Sequence, residues 1–152
     1  MRRRIEDYLE AIYDLSKENG VARTTDIAKT LGVKPASVTE MLQKLSKKGF
    51  IIYTKYEGVT LTDKGKEIGI EIKRRHDIIV KLLEFLQVPK DVAMRDACVM
   101  EHNLSEETIE QLEKFVKFLE NCPKGKPEWL KHFKVYSETG KFPEVCENLG
   151  TP

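Results

Sequence analysis

The segment Cys98-Val99-Met100-Glu101-His102 carries the most specific chemistry in the chain. If the segment is helical, Cys98, Glu101 and His102 share one face, because positions three and four apart are neighbours on a helix. A thiolate, a carboxylate and an imidazole that converge on one point are ligands for a first-row transition-metal ion. The spacing therefore indicates a metal site. The alternative is that Cys98 is a small buried hydrophobe, as free cysteines usually are.

Three further side chains have ligand chemistry. Asp7 and Glu10 lie three apart in a predicted helix, so both carboxylates point to one side. His76 lies in a later predicted helix, after a short basic stretch. Each also fits a simpler role: Asp7 and Glu10 as surface carboxylates, and His76 as a partly buried histidine bonded to Asp77 or to a backbone carbonyl. From these residues alone, both interpretations stay open.

Composition limits the class of protein. The chain has 152 residues, 40% of them hydrophobic and 34% charged, which is typical of one large or two small globular domains. No apolar run approaches the roughly 20 residues that span a bilayer, so no membrane partner is expected. No apolar signal segment follows the basic start, which favours a cytoplasmic location. Three widely spaced cysteines favour free thiols or metal ligands over disulfides.

Hydrophobic periodicity and turn residues predict a winged helix-turn-helix at the N-terminus. Apolar residues recur at the helical period over 4–17, and two shorter helices follow, one over 27–31 and one from a first turn at Pro35 to residues 47–49. Two short helices joined by a tight turn are typical of a helix-turn-helix. The β-rich runs 50–54 and 59–62, with a turn between them, then predict a hairpin. The first domain is expected over 1–70.

The rest of the chain is predicted to be helical, which makes the fold class mainly α. A long helix follows Thr62 and Asp63, a second helical segment opens at Pro89, and an amphipathic helix begins at Ser105. A second, helical domain is therefore expected over 71–121. The remainder, 122–152, reads as a C-terminal tail with a short helix from Trp129 to Tyr136.

The second helix of a helix-turn-helix enters the major groove, and its N-terminal side chains reach the base edges. The residues expected at base edges, or close to the DNA at the start of these helices, are Thr25, Lys34, Pro35, Ala36, Ser37, Thr39, Glu40 and Gln43. The residues expected at phosphates are Lys44, Lys47, Lys48, Lys55 and the arm Arg2 to Arg4. Residues 1–62 hold 11 Lys and Arg against 8 Asp and Glu, whereas 63–152 hold 15 against 17. The asymmetry is small, and winged helices also serve as protein–protein modules.

The tail contains two more thiols, Cys122 and Cys146, with His132 between them in sequence. These residues are candidates for a second thiolate site or for a sensor of oxidation. Equally, they fit one buried thiol and one loose thiol with no shared role.

Several stretches of the sequence occur in the order and spacing of a known family. They are Glu6-Asp7-Tyr8-Leu9-Glu10-Ala11-Ile12-Tyr13, Val38-Thr39 with Gln43-Lys44-Leu45, Tyr53-Thr54-Lys55-Tyr56, Leu61-Thr62-Asp63-Lys64-Gly65, Arg75-His76 and Glu101-His102-Asn103-Leu104-Ser105. Over residues 4 to about 120 the chain resembles the diphtheria-toxin-repressor family of iron- and manganese-dependent transcriptional repressors. Within that family it is more similar to the manganese-transport regulators, and it looks like a short member without the C-terminal SH3-like domain.

The resemblance implies a homodimer that binds a palindromic operator in double-stranded DNA, and a site for one or two metal ions. It implies that the ligands come from the first helix and from the domain over 71–121, which would serve both dimerisation and metal binding. The residues that it places in this site are Asp7, Glu10, His76, Cys98, Glu101 and His102.

The chain combines features of both branches of the family. Cys98 follows the iron-responsive branch, where the manganese regulators have a glutamate, whereas Asp7 and Glu10 follow the manganese pattern. The ligands of the iron branch's second site align with Val80 and Met94, so that second site is expected to be absent. Because a thiolate favours softer ions, Fe(II) is expected as the effector, with Mn(II) as the alternative. Zn(II), Co(II) and Ni(II) are expected to bind in vitro.

The sequence thus predicts a repressor that requires metal to bind an operator upstream of metal-uptake genes. One rival interpretation is a metal-independent winged-helix regulator that responds to a small molecule or to thiol oxidation. A second rival is a metalloenzyme, because such ligands also support hydrolysis at an open coordination position. The chain contains no Gly-rich phosphate loop and no nucleophile–base arrangement, so neither an enzyme nor a small organic substrate is expected.

Overall fold

A computed structural model describes residues 2–54 and 56–147. Its elements, in chain order, are α1 (Arg2–Asn19), α2 (Thr24–Leu31), α3 (Pro35–Lys47), β1 (Ile51–Thr54), β2 (Gly58–Leu61), α4 (Asp63–Phe85), α5 (Lys90–Met100), α6 (Glu106–Asn121), α7 (Glu128–Thr139) and α8 (Glu144–Glu147). The chain divides into two compact units, one ending at Arg74 and one beginning at Arg75, so the division falls within α4. The prediction of a mainly helical fold with an N-terminal winged helix-turn-helix is confirmed. Among the described residues, no helix has the length and apolar character that crossing a membrane requires.

The first unit is built around the apolar faces of α1, α2 and α3. Leu9 and Ile12 of α1, Ile27 of α2, and Leu42 and Leu45 of α3 have no exposed surface. These are positions three and four apart on their helices, which is why the periodicity of the sequence predicted them.

The turn between α2 and α3 is fixed by two residues with restricted or unusual backbone angles. Gly32 ends α2 at φ 64°, a left-handed conformation that glycine adopts without steric cost. Pro35 occupies the first position of α3, where its missing N–H is not needed. The turn consists of residues 32–34 alone, and the exposed N-terminus of α3 follows it directly.

The wing is an antiparallel hairpin in which Ile51 pairs with Leu61 and Tyr53 pairs with Val59. Val59 also exchanges two backbone hydrogen bonds with Ala22, at 2.8 and 3.1 Å, which attaches the segment between α1 and α2 to the edge of the hairpin. Ile51, Val59 and Leu61 face the core of the first unit. Their alternation with exposed residues is the period of a half-buried strand.

The start of α4 is capped as its sequence predicts and is packed tightly against the wing. The Thr62 hydroxyl accepts a hydrogen bond from the Gly65 backbone N–H at 3.2 Å and donates one to the Gly49 carbonyl at 2.7 Å. A Cβ atom placed on Gly65 would lie 2.0 Å from the Phe50 carbonyl oxygen. That oxygen is itself held by the Thr62 backbone N–H at 3.0 Å. Only glycine fits at this contact.

Replacement of Gly65 by alanine is therefore expected to destabilise the first unit, even though alanine normally favours a helix. The added methyl group must displace backbone rather than a flexible side chain, so the free energy of unfolding should fall by about 1–3 kcal/mol. Chemical denaturation followed by circular dichroism measures this. The control is Lys66→Ala at the next, exposed position, which should change stability by less than about 0.5 kcal/mol. Equal stability of the two variants would contradict the packing described.

The second unit has a separate core, formed by Ile78 and Ile79 of α4, Ala97 of α5, and Ile109 and Val116 of α6. Ser105 begins α6 by accepting a hydrogen bond from the Thr108 N–H at 3.3 Å, as expected of an N-cap serine. The tail forms α7, which covers the short helix expected from Trp129 to Tyr136, and the additional turn α8.

Candidate metal centre and DNA-reading helix

Three side chains of ligand type converge in the second unit. His76 lies in α4, Cys98 in α5 and Glu101 directly after α5. Their ligand atoms all lie within 4.8 Å of one another. The His76 Nδ1 atom is 2.8 Å from Glu101 Oε2 and 3.8 Å from Cys98 Sγ. An imidazole, a thiol and a carboxylate therefore surround one point, which is donor chemistry for a divalent transition metal.

The geometry of the Cys98 segment differs from the helix face that the sequence suggested. α5 ends at Met100, so Glu101 occupies the C-cap position and His102 lies in the following turn. The Asn103 side chain donates to the Val99 carbonyl, and the Asn103 backbone N–H donates to the Met100 carbonyl at 2.9 Å. These bonds satisfy carbonyls at the helix end and stop the helix before His102.

His102 is nevertheless adjacent to the cluster. Its Nε2 atom lies 3.2 Å from Glu101 Oε1, and its side chain is 3% exposed. Glu101 thus lies between the two histidines, with His76 on Oε2 and His102 on Oε1. The two remaining predicted ligands, Asp7 and Glu10, are half-buried on α1 of the first unit.

The burial of Glu101 indicates a need for positive charge. Its side chain is 1% exposed, and a carboxylate withdrawn from water is costly unless a cation or several donors satisfy it. Within the described residues, Glu101 Oε1 accepts no hydrogen bond, despite its short distance to His102. A buried carboxylate oxygen in this state, next to two imidazoles and a thiol, fits a bound cation.

His76 is held in its protonated form when no metal is present. The Cys98 sulfur, followed by the Glu101 carboxylate, raises the pKa of His76 to about 10, against the opposing effect of burial. A proton on Nδ1 occupies the position that a metal ion would require. Metal binding should therefore release this proton and strengthen as pH rises.

The stability of the metal-free protein should depend on pH through the same residue. Because the pKa of His76 in the folded state lies above its ordinary value of 6.5, its stabilising contribution is complete below about pH 6.5 and is lost as pH rises through about 10. Chemical unfolding between about pH 6 and about pH 10 measures this decline. The His76→Gln variant lacks the titrating group and should show a flatter profile. Parallel profiles for the two proteins would contradict this account.

The N-terminal part of α3 presents the predicted DNA-reading residues to solvent. Lys34, Pro35, Ala36, Ser37 and Glu40 are exposed, and Thr39 is half-buried. The predicted residues Arg4, Thr25, Gln43, Lys44, Lys47 and Lys48 are also exposed. Lys55 and the side chains of Arg2 and Arg3 lie outside the described residues.

One feature of this helix was missed in the sequence. The Lys44 Nζ atom donates to Glu40 Oε1 at 2.6 Å, and this contact lowers the pKa of Glu40. The spacing of four residues with the acid first is a known signal for such a pair. Lys44 therefore offsets the negative charge that Glu40 would bring to a polyanion.

In the tail, the structure brings Cys146 together with His132, with Sγ and Nδ1 3.1 Å apart. Cys122 is half-buried at the C-cap of α6.

Models of known protein families match both the N-terminal and the C-terminal unit of the chain. The family model "Iron dependent repressor, N-terminal DNA binding domain" matches residues 1–59. The model "Iron dependent repressor, metal binding and dimerisation domain" matches residues 62–130.

Two curated relatives are named as the HTH-type transcriptional regulator MntR. The protein from Bacillus velezensis is 41% identical over 124 residues, which are 82% of this chain and 87% of the relative. The protein from Bacillus subtilis is 42% identical over 116 residues, which are 76% and 82% of the two chains. Among solved structures, the manganese regulator SloR matches with a TM-score of 0.66 and 33% identity. That match covers 78% of this chain but only 56% of the SloR chain.

A winged helix-turn-helix followed by a helical unit with a His–Cys–Glu cluster defines a metal-responsive DNA-binding regulator. The chain belongs to the diphtheria-toxin-repressor family of iron-dependent repressors, as its sequence motifs predicted. Members of this family are metal-dependent transcriptional repressors that bind DNA and dimerise, and they are not enzymes.

Proposed function

We propose that this repressor acts in the cytoplasm and uses Fe(II) as its effector. We propose also that it binds a palindromic operator upstream of metal-uptake genes. The observation that carries the proposal is the cluster of His76, Cys98 and Glu101, whose ligand atoms lie within 4.8 Å of one another. His102, beside the second oxygen of Glu101, and Asp7 and Glu10 of α1 complete the proposed ligand set. A bound ion would supply a partner for Glu101 Oε1, and it would replace the charge of the proton that His76 loses.

The choice of Fe(II) rests on the sulfur ligand. Carboxylates and imidazoles suit both Mn(II) and Fe(II), whereas a thiolate raises affinity for the softer ion. Cys98 stands in α5 with its sulfur directed to His76, which supports a role in the site. Zn(II), Co(II) and Ni(II) are also compatible with these donors and should bind in vitro.

Mn(II) is the second candidate, because the structurally similar protein SloR is described as a manganese regulator. The carboxylates Asp7 and Glu10 would suit this harder ion.

In the proposed mechanism, residues of both units share one ion. The metal-free dimer samples many placements of its DNA-binding units. When Asp7 and Glu10 bind the same ion as His76, Cys98 and Glu101, placements that fit adjacent major grooves of the operator are favoured. The ligands must therefore hold the ion more tightly in the competent arrangement than in the others. By linkage, operator DNA must tighten metal binding by the same factor.

Exchange of the sulfur ligand tests the choice of metal. In the Cys98→Glu variant a hard carboxylate replaces the thiolate, so the ratio of Fe(II) to Mn(II) affinity should fall on the order of tenfold. Anaerobic titration with each ion in competition with a chelator measures that ratio. The matched control is Cys122→Ser, which removes a thiol outside the cluster and should leave the ratio unchanged. If the wild-type protein prefers Mn(II) and the glutamate variant keeps the same ratio, Cys98 is not a selective ligand.

The rival interpretation, a metal-independent regulator, can be tested with the same protein and operator DNA. A metal-independent winged-helix regulator would bind its operator with equal strength in the chelated and metal-loaded states. Such behaviour would favour a small molecule or thiol oxidation as the signal.

A further inference from the structure

The C-terminal part of the second unit holds a thiol and an imidazole in contact, outside the metal cluster. Cys146 Sγ in α8 lies 3.1 Å from His132 Nδ1 in α7. The match to the metal-binding and dimerisation domain ends at residue 130, before both residues. The family therefore assigns them no role.

The contact is positioned by a hairpin of two helices. α7 ends at Gly140, which adopts φ 69°, and the chain reverses there. The rings of Tyr136 and Phe142 then pack with their centroids 4.7 Å apart. His132 and Tyr136 are four residues apart and share a face of α7. The returning segment follows that face, which brings Cys146 to His132.

The pair has the geometry of an activated thiol. A distance of 3.1 Å between sulfur and a ring nitrogen allows a hydrogen bond, so His132 can accept the proton of the Cys146 thiol. A thiolate, rather than a thiol, is the nucleophile in cysteine chemistry. Both side chains are half-buried, so a small reagent can reach the sulfur.

We propose that Cys146 and His132 form a reactive thiol–imidazole pair, in which His132 takes the thiol proton as the sulfur attacks, and that the chemical class it reacts with is hydroperoxides. The thiolate attacks one oxygen of the O–O bond, a sulfur–oxygen bond forms and the O–O bond breaks. The leaving alkoxide or hydroxide takes the proton from the His132 imidazolium. The net reaction converts a thiol and a hydroperoxide to a sulfenic acid and an alcohol or water. Sulfur is oxidised and the peroxide is reduced.

The chain contains its own reference thiol. Cys122 is half-buried like Cys146, and its sulfur has no histidine contact within the described part of the chain. An ordinary thiol is only a few per cent ionised at pH 7. Because His132 can accept the Cys146 proton during the attack, Cys146 is expected to react about tenfold faster than Cys122.

The test measures alkylation rates at each cysteine of the full chain, by mass spectrometry of the peptides after timed exposure to iodoacetamide at neutral pH. Cys146 should react about tenfold faster than Cys122. In the His132→Asn variant, an amide replaces the ring nitrogen but cannot take the proton, so the rate at Cys146 should fall to that of Cys122. Hydrogen peroxide followed by a sulfenic-acid trapping reagent should label Cys146 before Cys122 in the wild-type protein only.

Circular dichroism and metal titration establish that the variant keeps its fold. Equal rates at Cys146 and Cys122 in the wild-type protein would overturn the proposal. So would a rate at Cys146 that is unchanged by His132→Asn. Because each cysteine is followed separately, these outcomes do not depend on which metal occupies the cluster around Cys98.

Discussion

The Glu101→Gln variant is expected to lose metal-dependent operator binding while it keeps its fold. Glutamine has the same shape but no charge, so it is a poor metal ligand and no longer balances the two neighbouring histidines. Loss of partners that only orient a ligand costs 10–100-fold in metal affinity, so loss of this ligand should cost about 100-fold or more. Metal titration by calorimetry and operator binding by fluorescence anisotropy measure the two effects.

A neighbouring carboxylate provides the matched control. Asp96 lies in α5 and is exposed, so Asp96→Asn removes the same charge five positions before Glu101 without touching the cluster. It should retain wild-type metal affinity and operator binding. If Glu101→Gln bound metal as tightly as the wild-type protein, the cluster would not be the regulatory site. Equal losses in the two variants would indicate a general effect of charge.

The Ser37→Glu variant is expected to lose operator binding while it keeps metal binding. Ser37 is exposed in the first turn of α3, where base edges and phosphates are expected. A carboxylate there would meet the phosphate backbone, and operator affinity should fall by about 100-fold or more at low salt. An acidic residue in the first turn of a helix is favourable for the helix itself. Loss of DNA binding would therefore not reflect unfolding.

Ser46 allows the same substitution at the other end of α3. It is also exposed, and nine residues separate it from Ser37, which places the two on opposite sides of the helix. Ser46→Glu should reduce operator affinity much less than Ser37→Glu at the same salt concentration. Equal effects of the two substitutions would contradict the assignment of the N-terminal part of α3 as the DNA-reading surface.

The winged helix was predictable because its signals are local. The apolar residues of α1 and α3 recur at the helical period, Thr62 caps α4, and Gly32 with Pro35 marks the turn between two helices. Each of these features can be read within a few residues of sequence. The close contact between Gly65 and the Phe50 carbonyl could not, because it depends on how the wing packs against α4.

The candidate site was predictable in its residue types but not in its geometry. The spacing of Cys98 and Glu101 pointed to a shared site, yet α5 ends at Met100, where the Asn103 side chain donates a hydrogen bond to the Val99 carbonyl. Hydrophobic periodicity carries no information about that bond. For the same reason the pairing of Cys146 with His132 was one of several open possibilities, since it depends on the reversal of the chain at Gly140.

Metal is expected to control operator binding through the cluster around Glu101. The most direct test is anaerobic binding of the chelated protein to a palindrome from its own promoter or from a metal-transporter promoter, titrated separately with Fe(II) and Mn(II). Operator binding should appear as free metal rises, at a lower concentration of Fe(II) than of Mn(II). Operator affinity that neither ion changes would contradict this expectation.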